Sequence, residues 1–113
     1  MAVVSQASGV ERRVAARRQP ALGTVCHLAG DASEELGLGL VWNISRSGVS
    51  MLLPRALQPG TVVRADLAAV NDAYSLPIKL RVAHVARLGT GDYFLGAQFG
   101  RELGAEEMQP FLA

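Results

Sequence analysis

The spacing of the apolar residues is the feature that most restricts what this chain can fold into. From Pro20 onward they are mostly small, β-branched or Leu, in runs of six to nine residues broken by Gly, Pro, Asn and Asp. The pattern predicts strands near residues 21–29, 38–45, 48–53, 61–69, 76–87 and 92–99. No connection between them is long enough for a crossover helix, so we expect mostly antiparallel hairpins.

Within these strands, apolar and polar residues alternate as they do in a strand with one buried face. Val63, Ala65 and Leu67 share one face, for example, and charged residues occupy the other. The strand near 76–87 loses this phase after Val82, and a β-bulge there would return Val85 to the core. The sequence therefore predicts a mainly all-β domain, either two paired sheets or a small barrel, with an interior filled by side chains.

The regions outside the strands have a different composition. Residues 1–19 contain small, polar and basic residues, and residues 1–10, with "SQASG", predict a flexible lead-in to the charged stretch "ERRVAARR". From Gly104 the sequence "GAEEMQPFLA" predicts a short amphipathic helix that caps one end of the sheet. In a chain of 113 residues we expect one domain over residues 11–113. It divides into an arm (11–19), a barrel or sandwich (20–100) and a C-terminal helix (104–112).

Charge and cysteine content exclude several classes of protein. Eleven basic and ten acidic residues leave a net charge of +1, so the chain is not built to coat nucleic acid, and no DNA or RNA partner is expected. A single cysteine, Cys26, excludes an internal disulfide framework and suits a reducing compartment. No apolar run reaches the length of a membrane span, and no secretion signal is visible. We expect a cytoplasmic protein that does not insert into membranes.

The stretch "WNISRSG" combines small polar residues with a glycine. Strand alternation puts Trp42 on one face and Asn43 and Ser45 on the other, so a buried Trp42 would leave the two polar side chains side by side on the surface. An amide and a hydroxyl there can bind a base edge or a phosphate oxygen. Gly48 would allow a positive φ and a close backbone approach. The alternative is a plain hairpin turn, since Asn, Ser and Gly are common turn residues.

Four arginines, Arg12, Arg13, Arg17 and Arg18, fall within seven residues just before the first strand. They can be a solvated charged segment in which Arg13 and Arg17 lie one helical turn apart. They can also form an anion-binding arm, because a guanidinium group binds phosphate or a guanine edge bidentately and stacks on purines. Such an arm could fold over a ligand held on a rigid surface.

Taken together, the two motifs resemble those of the PilZ domain, the bacterial receptor domain for cyclic di-GMP. Arg13 and Arg17 match R-x-x-x-R, and Asn43, Ser45 and Gly48 match the later D/N-x-S-x-x-G. The segments "GVSMLLPRALQPGTVVRADL" and "LRVAHVARLGTGDYFLGAQF" are similar to the parts of the family that follow the motif glycine and close the domain. The resemblance covers the chain from Glu11 on and implies a small six-stranded antiparallel β-barrel of the split-barrel type.

The resemblance also implies a role for each motif residue. Arg13 and Arg17 would bind the phosphates and the guanine of cyclic di-GMP, and Asn43, Ser45 and Gly48 would contact guanine and phosphate on the barrel surface. Asn43 replaces the commoner Asp, so a carboxylate is exchanged for an amide with one acceptor, and we expect a lower affinity. Arg12, just before the first motif arginine, favours a stacked pair of ligands over a single molecule.

The implied function is that of a receptor that orders its arm over the dinucleotide and signals through a protein partner, which the sequence does not identify. It would need no cofactor and would be a monomer or a weak homodimer. One alternative is a degenerate PilZ-like adaptor that works by protein contact alone, using exposed apolar residues such as Leu52. Another is a single-stranded nucleic-acid binder, for which the chain has few aromatic residues.

Enzymatic interpretations have less support in the sequence. Cys26 and His27 fall on opposite faces of one strand and His84 is distant, so no zinc-ligand spacing is present. Ser45 has no histidine base nearby and lies in no nucleophile-elbow motif. We therefore expect a protein that is not an enzyme and holds no metal.

Overall fold

Six antiparallel strands form a closed barrel in the computed structural model, which describes Pro20 and residues 23–30, 32–69 and 74–112. The strands are β1 (Thr24–Ala29), β2 (Glu35–Ile44), β3 (Gly48–Leu53), β4 (Val62–Ala69), β5 (Tyr74–Arg87) and β6 (Tyr93–Phe99). Their order around the barrel is β1-β2-β3-β6-β5-β4, and β4 pairs with β1 to close it. The predicted all-β barrel is confirmed, and every predicted strand is found with ends within three residues of the prediction.

Alternate residues of each strand fill the interior, as the alternation predicts. Val63, Ala65 and Leu67 of β4 are buried, and the charged residues between them are exposed. Cys26 is fully buried in β1 while its neighbour His27 is exposed, so the two do lie on opposite faces. Burial raises the pKa of the Cys26 thiol to about 12, with a smaller contribution from Asp66, and the thiol is therefore protonated at neutral pH.

A β-bulge in β5 restores the core pattern of this long strand. Val82 pairs with Ala97 and His84 pairs with Gly96, so one residue of β5 is left over between them. Beyond the bulge, Val85 is partly buried and packs against the core. The predicted return of Val85 to the interior is confirmed.

The C-terminal segment closes the end of the barrel at which the β2–β3 turn lies. It contains one α-helical turn, α1 (Ala105–Met108), and one 3₁₀ turn (Gln109–Phe111). Met108 and Phe111 are buried, and the Phe111 ring lies 5.5 Å from the ring of Tyr74. The predicted short helix is confirmed. No helix in the described part of the chain is long and apolar enough to cross a membrane.

An exposed ion pair fastens the start of this segment. Arg101 donates two hydrogen bonds to the Glu107 carboxylate, at 2.8 and 2.6 Å, and the Gly104 backbone N–H donates a third at 2.8 Å. The bonds from Arg101, and then the bond from Gly104, lower the pKa of Glu107 from its ordinary value of 4.5 to about 2. The segment is thus held by a carboxylate that favours its charged form.

We expect Glu107→Gln to make the free energy of unfolding depend less on pH below about pH 4.5. A carboxyl group with a lowered pKa in the folded state stabilises the fold fully above about pH 4.5, and this contribution is lost as the pH falls towards about 2. Urea denaturation midpoints measured over this range should therefore fall less steeply in the variant. Identical slopes for the variant and the wild type would contradict this account of Glu107.

Candidate functional site

Ser45 holds the tight turn between β2 and β3. Its backbone N–H donates to the Gly48 carbonyl oxygen at 2.9 Å, and its Oγ accepts the backbone N–H groups of Ser47 and Gly48 at 3.2 Å each. The Ser45 side chain is only 1% exposed. The expectation that Ser45 points outward beside Asn43 is wrong, because β2 ends at Ile44 and the hydroxyl turns towards the turn's own N–H groups.

Trp42 lies on the outside of the barrel with 60% of its surface exposed, although alternation predicted it in the core. Val41 pairs with Met51 and Asn43 pairs with Ser50, so Trp42 has no partner residue on β3. This is a β-bulge, in which two residues of one strand face one residue of its neighbour. The bulge shifts the alternation by one residue, so that Val41 packs against the core and Trp42 does not.

Asn43 is the motif residue that reaches the outer surface. It is half-buried, and its Oδ1 accepts a hydrogen bond of 2.7 Å from the hydroxyl of Ser50 on the neighbouring strand. Sequence reasoning missed Ser50, which becomes visible only once the register of β2 and β3 is known. The amide of Asn43 is thus held in a fixed position on the face of β2 and β3.

Gly48 is required by the packing of two strands rather than by its φ angle, which is not positive. A Cβ at this position would collide with the carbonyl oxygen of Ala97 in β6. The prediction of a positive φ is therefore wrong. The close approach that Gly48 allows in this structure is that of β6.

Small residues continue the outer face beyond Asn43. Ser50 pairs with Gly96 of β6, and Gly96 pairs with His84 of β5. The His84 imidazole lies over Gly96, where a Cβ would collide with it, and its ring centroid is 6.4 Å from that of Phe94. The surface beside Asn43 is therefore shallow, with aromatic rings at its far side.

Two cations lie near this surface. Arg46, in the turn itself, is 4.0 Å from Glu102, but both side chains are more than half exposed and the pair is screened by solvent. Arg81 is exposed on β5 opposite Gln98, which in turn pairs with Gly48. These arginines favour an anion at this end of the barrel.

The arginine arm itself lies outside the described residues, and so do Arg12, Arg13 and Arg17. Pro20, the first described residue after it, forms a β-bridge with Leu112. The segment before Leu112 is tied to the β2–β3 turn, because the Leu103 N–H donates to the Arg46 carbonyl oxygen at 2.9 Å. Pro20, which follows the arm in sequence, therefore lies at the end of the barrel that carries the β2–β3 turn.

A second concave surface lies on the outer faces of β1, β4 and β5. This open groove of about 480 Å³ is lined by charges of both signs, among them Arg64, Lys79, Asp66 and Glu35. Such a mixture suits an anionic ligand less well than the Asn43 face. Within the described residues, no three His, Cys, Asp or Glu side chains come together as a metal site.

The closed barrel and the turn motif are those of a known class of small domain. The PilZ domain family model matches residues 11–112, and the chain belongs to this family. No curated protein matches the sequence.

Several solved structures share this fold at low sequence identity. The PilZ domain of YcgR from Escherichia coli, solved with c-di-GMP, has a TM-score of 0.67 and 17% identity over 88% of this chain and 86% of its own. The MrkH–c-di-GMP complex of K. pneumonia has a TM-score of 0.64 and 18% identity over 89% of this chain. MotI/DgrA, the Bacillus subtilis inhibitor of motility, has a TM-score of 0.61 and 13% identity over 88% of this chain. This chain spans about half the length of the last two, 48% and 47% respectively.

We expect Gly48→Ala to destabilise the barrel by ~1–3 kcal/mol, the usual effect of overpacking, because the obstructing atom belongs to the backbone of β6. Gly100→Ala is the matched control, since a Cβ there would make only an ordinary contact at 3.5 Å. Urea denaturation of both variants measures the difference. Equal stability of the two would show that β3 and β6 separate at little cost.

Proposed function

We propose that this chain is a receptor for cyclic di-GMP, which it binds on the outer face of β2 and β3. The observation that carries the proposal is the fixed Asn43–Ser50 pair beside the β2–β3 turn, at the end of the barrel where the arginine arm joins it. Family membership supports it, as do the structures of YcgR and MrkH with c-di-GMP.

In this proposal the motif residues on the barrel provide a shaped surface, and those of the arm provide positive charge. Asn43 binds the hydrogen-bonding edge of a guanine, and Arg13 and Arg17 bind phosphates and guanine from the arm. Arg12 adds charge for a second, stacked ligand molecule. Ser45 and Gly48 hold the turn in the shape that presents backbone groups to the ligand, a role supported by the bonds of the Ser45 hydroxyl within the turn.

Binding orders the arm, and this ordering is the signal. Fixing a residue costs roughly 1–2 kcal/mol of backbone entropy, so the ligand must offset the cost with several charge-assisted bonds. The docked arm and the ligand create a surface that the free protein lacks, and a protein partner reads it. The domain carries out no catalysis in this scheme.

A second candidate function is an adaptor that acts by protein contact without a nucleotide. Leu38, Leu40 and Trp42 favour it, because all three are exposed on β2, at 43%, 55% and 60%. Leu52, which the sequence suggested for this role, is half-buried. Absence of binding to cyclic di-GMP would favour the adaptor.

Calorimetric titration with cyclic di-GMP tests the receptor proposal directly. We expect the wild type to bind and Arg17→Ala to weaken binding by at least about tenfold, since a charged hydrogen bond contributes ~1.5–3 kcal/mol. Arg87→Ala is the matched control, because Arg87 is an exposed arginine far from the proposed site. It pairs with Tyr93 at one end of β6, whereas Gly48 pairs with Gln98 at the other end. If Arg17→Ala bound as tightly as Arg87→Ala, the proposal that the arm contacts the ligand would be wrong. If the wild type bound more than one ligand molecule per chain and Arg12→Ala bound only one, the stacked pair would be supported.

Asn43→Asp should strengthen binding. The side chain keeps an acceptor for the Ser50 hydroxyl, and its second oxygen accepts the remaining guanine N–H donor in a charge-assisted bond. A several-fold gain in affinity is expected by calorimetry, on the order of 1 kcal/mol. Weaker binding would mean that guanine does not present its donors to this residue.

A further inference from the structure

The exposure of Trp42 calls for a function, because tryptophan is usually largely buried. It is the chain's only tryptophan, and 60% of its surface faces solvent. It continues the outward face of Leu38 and Leu40, and the bulge in β2 leaves it without a partner on β3. Bulges re-aim side chains and are frequent next to functional sites.

The bulge puts the indole directly beside Asn43. Asn43 offers hydrogen bonds from an amide held by Ser50 at 2.7 Å. Ser50 is buried and the Gly96 beyond it lies under the His84 imidazole, so the Asn43 amide is the polar group of this pair that reaches the surface. An amide held in a fixed position thus lies next to an exposed aromatic ring.

This arrangement matches the two kinds of contact that a nucleobase makes. The edge of a base forms hydrogen bonds in the plane of its ring, and its face stacks on aromatic side chains. An amide and an indole on adjacent residues can supply both contacts to one purine. An apolar protein partner would have no use for the amide.

We propose that Trp42 is a base-stacking residue of the site, and that its indole packs on the face of the guanine whose edge Asn43 binds. The inference rests on the receptor function proposed above and adds to it a residue outside both motifs. Trp42 then makes the site favour large bases, because a purine covers more of the indole than a pyrimidine does.

The single tryptophan makes the wild-type protein its own reporter. On titration with cyclic di-GMP, the indole emission should change with the same midpoint as the heat signal, and acrylamide should quench the bound form less than the free form. Cyclic di-UMP, with smaller bases, should bind more weakly and protect the indole less. An indole that responds to neither ligand while heat shows binding of cyclic di-GMP would overturn the inference.

Variants give a second, independent readout by calorimetry. Trp42→Ala should weaken binding of cyclic di-GMP by roughly tenfold, the usual effect of losing one base stack, and Trp42→Phe should weaken it less. Leu40→Ala is the matched control, because Leu40 is also an exposed apolar residue of β2, at 55%, and should leave affinity unchanged. Equal losses in Trp42→Ala and Leu40→Ala would overturn the stacking role.

The two proposals fail in distinguishable ways. A wild type that gives no heat with cyclic di-GMP overturns the receptor function and the stacking role together. Normal binding with a silent indole and an unaffected Trp42→Ala variant overturns the stacking role alone. Urea denaturation should give Trp42→Ala a midpoint close to that of the wild type, because most of the side chain is exposed.

Discussion

Pairing between β1 and β4 closes the sheet on itself, and the other features of the molecule depend on that closure. It satisfies the edge groups that an open sheet would expose, and it encloses a core that side chains fill. The filled core leaves the outer surface for the binding that we propose. There, a turn and a bulge shape the surface without opening the core.

Much of the fold can be predicted from sequence because the period of two is strong in most strands. In β5 even the irregularity can be predicted, since His84 is polar at a position where the alternation requires an apolar residue. The bulge in β2 gives no such signal. Both Trp42 and its neighbour Val41 are apolar, so either phase of the alternation gives an acceptable core, and only the pairing with β3 distinguishes them.

The candidate site shows the same limit at the level of single residues. Motif spacing identifies Asn43, Ser45 and Gly48 but not what each one does within the fold. Ser45 turns its hydroxyl to neighbouring N–H groups, and Gly48 makes room for Ala97. Both tasks depend on contacts between segments distant in sequence or on the path of a turn, which a motif does not encode. Ser50 and His84 join the surface only through strand register.

The bridge between Pro20 and Leu112 brings the two ends of the described chain to one place. An affinity tag or fluorescent protein fused beyond either end would therefore be tethered near the β2–β3 turn and could compete with a ligand for space. A fusion partner inserted in the turn at Gly89–Gly91, between β5 and β6, would be attached at the top of β6, away from Gln98 and Gly48. The geometry of the chain ends thus decides where a label can be attached without touching the surface it is meant to report on.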